Sequence, residues 1–383
     1  MDDKKAVKYA LVAIILAAIS FIYATTITPG TGETVLSTNQ TYYITSTGSD
    51  SNDCITYSTA CATVQGAYNK IPALLNSDIN ISIGKGTYAG NIIFGGKSTT
   101  AKYKIILNGD RNIVKTGTIT NGGTGTQTVQ SYVYSSGLAD YEGKIIEFTS
   151  GNNAGRYRVI DKNNATFINM SGVLFSSAFV NGDGYIIYDQ VSNITGTITI
   201  NPTSVITEFK LLNISNNAIN IQRTTTIFNQ SKINIGNWGN YNYFYIFDSS
   251  SIYFYENYLF NTGYFSGMQT FSSYIEMLNN LMKGEGVVGQ VDFGLMNKNA
   301  YLRIGGGNVF KDYLSGYSAM WSDLEASTEM IWSGTTNNFI KNNSVGLYAA
   351  NCGTIATNSI YGVTYIGNTA NTGTDGKACS QVI

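Results

Sequence analysis

The chain has 383 residues, only 12% of them charged, and its 23 basic and 24 acidic residues leave a net charge of −1. That length allows one large domain or two ordinary ones, and without a basic run beyond the extreme N-terminus the electrostatic footprint of a nucleic-acid binder is missing. There are 0 histidines, which removes the commonest general base and zinc ligand, while 41 glycines, 28 tyrosines and 3 prolines describe strands and turns.

After MDDKKAVK comes YALVAIILAAISFIYA, Tyr9 to Ala24, an uncharged apolar run of 16 residues behind Lys4, Lys5 and Lys8. A spanning helix needs about 20 residues, so the run is short for one and close to the core of an export signal. Two readings of residues 1–24 stay open, a cleaved signal peptide and a retained anchor. Both place the rest of the chain outside the cytoplasm, extracellular or at the cell surface, and both confine membrane contact to this segment. The four cysteines, an even number, agree with an oxidising compartment. Residues 25–41 read as a polar linker.

Residues 42–137 read as a cap followed by the first strands. In ATVQGAYNKIPALL, Val64, Ala67, Tyr68, Ile71, Leu74 and Leu75 fall at helical spacing. Strands follow where Ile79, Ile81 and Ile83 alternate, at Ile92–Phe94 beyond the Gly86 turn, and in YKIILNG at 103–109. Residues 138–190 read as a separate small β unit, because short alternating segments such as GKIIEF and GDGYIIYD are divided by Gly/Asn turns.

From residue 191 to 383 a repeat emerges, apolar–x–apolar, a short gap, then Asn. Leu212/Ile214 lead to Asn217, Ile233/Ile235 to Asn237, Ile252/Phe254 to Asn257, Ile275/Met277 to Asn280, Leu302/Ile304 to Asn308, and Met330/Trp332 to Asn338. Strand, tight turn and strand recurring at intervals of 20–30 residues describe the coils of a parallel β-solenoid. Asn suits the turns on two grounds: it tolerates left-handed backbone geometry, and its amide can bond the same amide one coil above.

Three stretches carry a resemblance. YYITSTGSDSNDCITYSTACATVQGAYNKIP followed by INISIGKGTYAGNIIF is similar to the opening of extracellular right-handed β-helix proteins of the pectin lyase-like group. In those, a GSDxND-type loop precedes a cap helix and a first coil of the form I-x-I-x-x-GTY. Thr149–Gly151, Ala154-Gly155, Arg158, Ala165-Thr166 and Gly182–Tyr185 resemble a small β module of phage tail and bacterial surface β-helix chains. GLYAANCGTIATNSIYGVTYIGN resembles late coils of tail-spike-type β-helices. The implied fold is all-β, a right-handed parallel β-helix with an N-terminal cap helix and an inserted meander. The implied functions are those of a non-catalytic surface protein that binds glycans or other surface proteins, itself included. A polysaccharide lyase or glycoside hydrolase and a viral tail-spike-like component are the alternatives.

Aligning the coils yields the candidate sites. Glu276 and Arg303 fall on adjacent coils facing outward, as an exposed ion pair or as the weak candidates for catalysis. Tyr253 and Tyr255 alternate with the inward Ile252 and Phe254, so they face outward, where tyrosines stack on sugar rings or bury against a subunit. Asp323, Glu325 and Glu329 form an acidic stretch able to meet a cation or a sugar. No cofactor is expected. Asp50, Asn52 and Asp53 are the candidates for calcium, but the loop lacks the glycine and distal glutamate of an EF-hand. No Cys-x-x-Cys motif is present, and Cys54 and Cys61 lie at the opposite end of the stack from Cys352 and Cys379, which argues against one four-cysteine metal site. Local pairing, Cys54–Cys61 and Cys352–Cys379, is the economical choice among three connectivities.

Overall fold

The computed structural model describes residues 39–120, 132–171, 177, 179–215, 218–236, 244–247, 249–261, 268–284, 295–298, 301–304 and 307–313. Further along it describes 318–323, 327–330, 338–341, 345–349, 354–357, 363–366, 368, 370–374 and 381–382. The apolar segment 9–24, Asn217, Asn237, Glu325, Cys352 and Cys379 lie outside the described residues. Among the described residues, no helix is long and apolar enough to cross a membrane.

The architecture is all-β and dominated by three parallel sheets. Sheet A has eleven strands, running Gln40–Ile44, Ile79–Ile83, Lys104–Gly109, Ile206–Lys210, Thr225–Asn229, Ser251–Tyr255, Tyr274–Leu278, Tyr301–Ile304, Ser327–Met330, Thr354–Thr357 and Gln381–Val382. Sheets B and C have nine each, beginning at Gly86–Tyr88 and Ile92–Phe94. From Gly86 onward the chain takes one strand of B, one of C and one of A in rotation, interrupted once by an insertion. Each strand pairs in parallel with its counterpart one turn later. The first strand starts at Gln40, inside the segment read as linker.

The apolar–x–apolar pattern dictates which faces converge. Along Ser251–Tyr255 and Tyr274–Leu278 burial alternates strictly, with Ile252, Phe254, Ile275 and Met277 inside. They join Leu259 of sheet B and Phe244 and Ile246 of sheet C in one apolar cluster. Phe209, Phe228 and Phe254 stack in register, with centroids 5.0 and 5.1 Å apart. The repeat read from sequence merged two sheets, however. Ile214 and Ile233 belong to sheet B, whereas Ile252/Phe254 and Ile275/Met277 belong to sheet A. Both sheets share the period of 2, so periodicity alone does not separate them.

The A-to-B corner carries a ladder of buried amides. Asn257, Asn280 and Asn308 are all but fully buried. The side-chain oxygen of Asn280 accepts from Asn257 N and Nδ2 at 2.9 and 3.1 Å, and Asn280 Nδ2 donates to Phe254 O at 2.9 Å. Asn308 Oδ1 repeats the pattern on Asn280 at 3.0 Å. Lower in the stack serines take the position. Ser231 N donates to Asn257 Oδ1, and Ser192 Oγ donates to Ile83 O at 2.7 Å. The left-handed backbone sits one residue earlier, at Leu211, Gln230, Glu256, Asn279 and Gly307. The ladder asparagines are therefore selected for their amide bonds, and the expectation that they adopt the left-handed turn geometry is corrected.

The insertion leaves that same corner between Asp110 and Val191, whose backbones hydrogen-bond at 3.1 Å. It forms a six-stranded antiparallel sheet, D, in the order Arg111–Thr118, Gly184–Gln190, Ile145–Phe148, Tyr157–Asn163, Phe167–Met170, Tyr132–Tyr134. Two of these strands precede residue 138, where the sequence placed the start of the unit. The sheet curls on its own core, with Ile146, Phe148, Ile160, Ile168, Tyr185 and Ile187 inside. Its two edges meet where Ser135 Oγ donates to Thr118 O at 3.1 Å. Its outer side packs on sheet B, joining Ile145, Val159 and Tyr188 to Leu281 and Val309. Charged groups close this contact: Arg158 Nη1 lies 3.0 Å from Glu256 Oε1, and Lys311 Nζ lies 3.0 Å from Asp161 and 3.2 Å from Glu142.

The Gln40–Ile44 end of sheet A is capped. Asp50 Oδ1 accepts from Ala62 N and Thr63 N, both at 2.9 Å, and its Oδ2 accepts from Thr63 Oγ1 at 2.7 Å. Thr63 in turn caps the helix Val64–Lys70. A Cβ at Gly66 would fall 2.2 Å from Asp50 Oδ1, which explains a glycine inside a helix. The helix is shorter than the sequence pattern implied. It stops before Pro72, and Leu74–Leu75 form a short strand against Ser98–Thr99. Cys54 and Cys61 form a disulfide that ties the loop across this cap.

Candidate functional site

The outward positions of sheet A become aromatic from Ser251 onward. Register places Ser251, Tyr274 and Tyr301 in one column, Tyr253, Glu276 and Arg303 in the next, and Tyr255 beside Leu278 in the third. Parallel strands lie about 4.8 Å apart and alternate side chains share a face, so these groups must touch. They do. The rings of Tyr253 and Tyr255 stack at 6.1 Å, Tyr253 meets Tyr274 at 6.0 Å, and Tyr274 stacks on Tyr301 at 5.7 Å with 14° between planes. The outcome is a platform of four tyrosines, with Tyr301 the most open at 38% exposure.

An ion pair lies within the platform. Glu276 Oε2 accepts from Tyr274 OH at 2.8 Å and from Arg303 Nη1 at 3.3 Å, as the coil alignment required. Their side chains are 22% and 41% exposed, so the pair is solvated and contributes at most about 1 kcal/mol to stability. Burial, then the Glu276 charge, pushes the Tyr255 hydroxyl up to about 12. Burial and the bond to Glu276 also raise Tyr274, and the hydrogen bond with Tyr274, followed by Glu276, raises Arg303. Tyr255 and Tyr274 therefore present neutral phenols beside the Glu276–Arg303 pair. Tyr274 and Tyr301 escaped the sequence reading. Their signal was the shared template Tyr274-Ile275-Glu276-Met277 and Tyr301-Leu302-Arg303-Ile304, two residues upstream of the pair.

The remaining sequence candidates are dispersed. Asp323 ends the sheet C strand Ser318–Asp323, whereas Glu329 lies in the sheet A strand Ser327–Met330, so the acidic stretch spans two sheets. In the cap loop, Asp50 serves the helix start. Asp53 Oδ1 accepts from Ile55 N at 3.1 Å and Thr59 Oγ1 at 2.5 Å, bonds that lower its pKa, and Asn52 Nδ2 donates to Ala60 O. These groups cap the loop backbone, which assigns them a structural role. Among the described residues, no group of three His, Cys, Asp or Glu side chains is placed to hold a metal ion.

A second concavity of about 590 Å³ lies beside the cap, lined by Gln65, Tyr68, Asn69, Ile93, Lys97 and Asn201. Its polar groups largely bond one another: Gln65 Nε2 donates to Asn69 Oδ1 at 2.8 Å and Gln65 Oε1 accepts from Ile93 N at 2.7 Å. It therefore offers fewer open valences than the platform.

No protein-family model matches the chain, and no curated protein is significantly similar to it. Among solved structures, the chain is similar to XylC in complex with xylose, at 11% identity and a TM-score of 0.36, covering 86% of this chain and 68% of that one. It is similar to a glycoside hydrolase at 9% identity and a TM-score of 0.21, covering 88% and 96%. A third similarity is to the Gp54 tailspike of Acinetobacter baumannii bacteriophage AP22 in complex with A. baumannii capsular saccharide, at 7% identity and a TM-score of 0.20, covering 78% and 67%. Such TM-scores are too low to transfer a fold or a function, so the site is read from the chain's own residues.

Proposed function

We propose that this chain is an exported cell-surface protein, a right-handed parallel β-helix that binds glycans along the outer face of sheet A without altering them chemically. The strict A-B-C rotation of parallel strands supports the helix, and parallel crossovers are right-handed in about 98% of cases. The Cys54–Cys61 disulfide supports the compartment. In this reading residues 1–24 deliver or anchor the chain, the following linker gives way to a cap and first coils, and the unit of sheet D interrupts a stack that continues to residue 383. The observation that carries the function is the platform itself, four adjoining tyrosines around a bonded donor and acceptor. Flat phenol faces receive the C–H face of a pyranose, while polar neighbours take its hydroxyls.

The non-catalytic part of the reading rests on the surroundings of Glu276. Glycoside cleavage by carboxylates uses two of them on either side of the scissile bond. Among the described contacts Glu276 is bonded by Tyr274, Tyr255 and Arg303, and Arg303 stands between it and the register position of Glu329, so Glu276 and Arg303 are assigned to binding. Affinity electrophoresis through polysaccharide gels, paired with a reducing-sugar assay on the same polymers, tests the proposal. Retardation without turnover is the expected result. Turnover abolished in Glu276→Gln or Arg303→Ala favours the hydrolase or lyase reading. Self-association abolished in Tyr301→Ala, without retardation, favours a subunit contact.

A further inference from the structure

We infer that the platform selects uncharged glycans, with pyranose rings lying on the tyrosines and neighbouring hydroxyls bridging Glu276 and Arg303. This deepens the glycan-binding reading above and rests on it. Charges on the outward positions of the sheet A strands between Lys104 and Arg303 carry this selectivity. Lys104 is held by Glu208 at 3.0 Å, and Arg303 by Glu276 at 3.3 Å. On the far side of Arg303, the next register position belongs to Glu329. Lys210 stands two register steps from Tyr255, through Asn229, which at about 4.8 Å per step is close to a Debye length. Among the described residues, no cation within the platform is left over for a ligand carboxylate. To reach Arg303, such a ligand must displace Glu276 or sit beside it against like charge.

Hydroxyls meet no such obstacle. Glu276 accepts from Tyr274 and Arg303 through Oε2 and is also hydrogen-bonded by Tyr255, which leaves one of a carboxylate's roughly four lone-pair sites to accept, and Arg303 has five N–H donors with only part of them engaged. A free acceptor next to free donors complements two adjacent hydroxyls, each of which both gives and takes a hydrogen bond. The stacked pairs Tyr253–Tyr255 and Tyr274–Tyr301 flank that point. The Tyr255 hydroxyl adds no charge, since burial and the Glu276 carboxylate hold it neutral well beyond pH 9. Selectivity against acidic polymers thus follows from an ion pair that is satisfied before any ligand arrives.

A glycan array carrying neutral gluco-, galacto- and manno-oligosaccharides beside uronate and sialylated ones tests this, probed with the wild-type protein, Tyr301→Ala and Glu276→Gln. The wild type is expected to bind neutral glycans and to keep them in about 0.5 M salt. Tyr301→Ala should lose about 5-fold, the equivalent of one stacked ring at about 1 kcal/mol. Glu276→Gln should gain carboxylated glycans, because Arg303 then loses the carboxylate that bonds it, a gain that general damage to the fold does not produce. Wild-type binding confined to carboxylated glycans and lost in salt overturns the selectivity while leaving the glycan-binding face intact. Failure of Glu276→Gln to gain carboxylated glycans also overturns it. Wild-type protein that binds no glycan of either class overturns the glycan reading itself.

Discussion

Asn280 holds together three consecutive coils. Its amide donates to Phe254 O below, its oxygen serves Asn257, and its backbone N–H donates to Asn308 Oδ1 above. Replacing it with alanine removes several buried bonds and orphans Asn257 N–H and Phe254 C=O, at about 1 kcal/mol per lost bond and more per stranded group. Asn280→Ala should therefore cost about 3 kcal/mol in urea unfolding, whereas Asn229→Ala, at a half-buried outward position, should fall within about 0.5 kcal/mol. Another residue-scale test concerns pH. The folded Tyr255 hydroxyl titrates at about 12, above its ordinary value of 10.0, so its contribution to stability is complete below pH 10 and disappears as pH rises from 10 to 12. Spectrophotometric titration of wild type against Tyr255→Phe should show one phenol ionising late, and the pH dependence of stability over that interval should be shallower in the variant. The asparagine ladder was legible because Asn recurred behind an apolar pair. The left-handed residue before it was not, because Leu211, Gln230 and Glu256 carry no turn signature.

At the scale of elements, the contact between sheet D and sheet B was hidden from sequence altogether. Arg158 and Glu256 are 98 residues apart and Lys311 and Asp161 are 150 apart, separations that no local pattern reports. Burial lowers Arg158 and raises Glu256, each offset in part by the other's charge, so the pair is held together against its desolvation cost. Arg158→Ala leaves the Glu256 carboxylate buried with only the Gln230 amide beside it and should cost about 3–5 kcal/mol. The double replacement Arg158→Met with Glu256→Leu should recover most of that loss. Hydrogen exchange locates the effect, with faster exchange in sheet D and in the Glu256–Leu259 corner while Ile79–Ile83 stays protected. The strands themselves were legible wherever alternation was strict, as in Ile79–Ile83 and Tyr274–Leu278. Their assignment to sheet A or sheet B was not, since a period of 2 fixes which side chains turn inward and says nothing about which wall they line.

At the scale of the whole molecule, a parallel sheet ends in strands whose open edge and apolar face must be covered. The first strand, Gln40–Ile44, is covered by the Asp50 loop, the helix Val64–Lys70 and the disulfide Cys54–Cys61. Reducing that disulfide, or replacing both cysteines with serine, opens a loop of only 7 residues and should cost about 2 kcal/mol. A thermal melt should show a modest fall in Tm and no loss of cooperativity. The cap and the parallel stack were visible in the opening motif and in the repeat; the platform was half visible. Tyr253, Tyr255, Glu276 and Arg303 follow from aligning the coils, while Tyr274 and Tyr301 needed the register itself. Titration of the wild-type protein and of the triple variant Tyr253→Ala, Tyr274→Ala, Tyr301→Ala with a neutral oligosaccharide that it retains tests the glycan-binding face most directly. At about 1 kcal/mol per stacked ring, affinity should fall about 100-fold with an unchanged far-ultraviolet spectrum, and equal affinities for the two proteins would contradict the account.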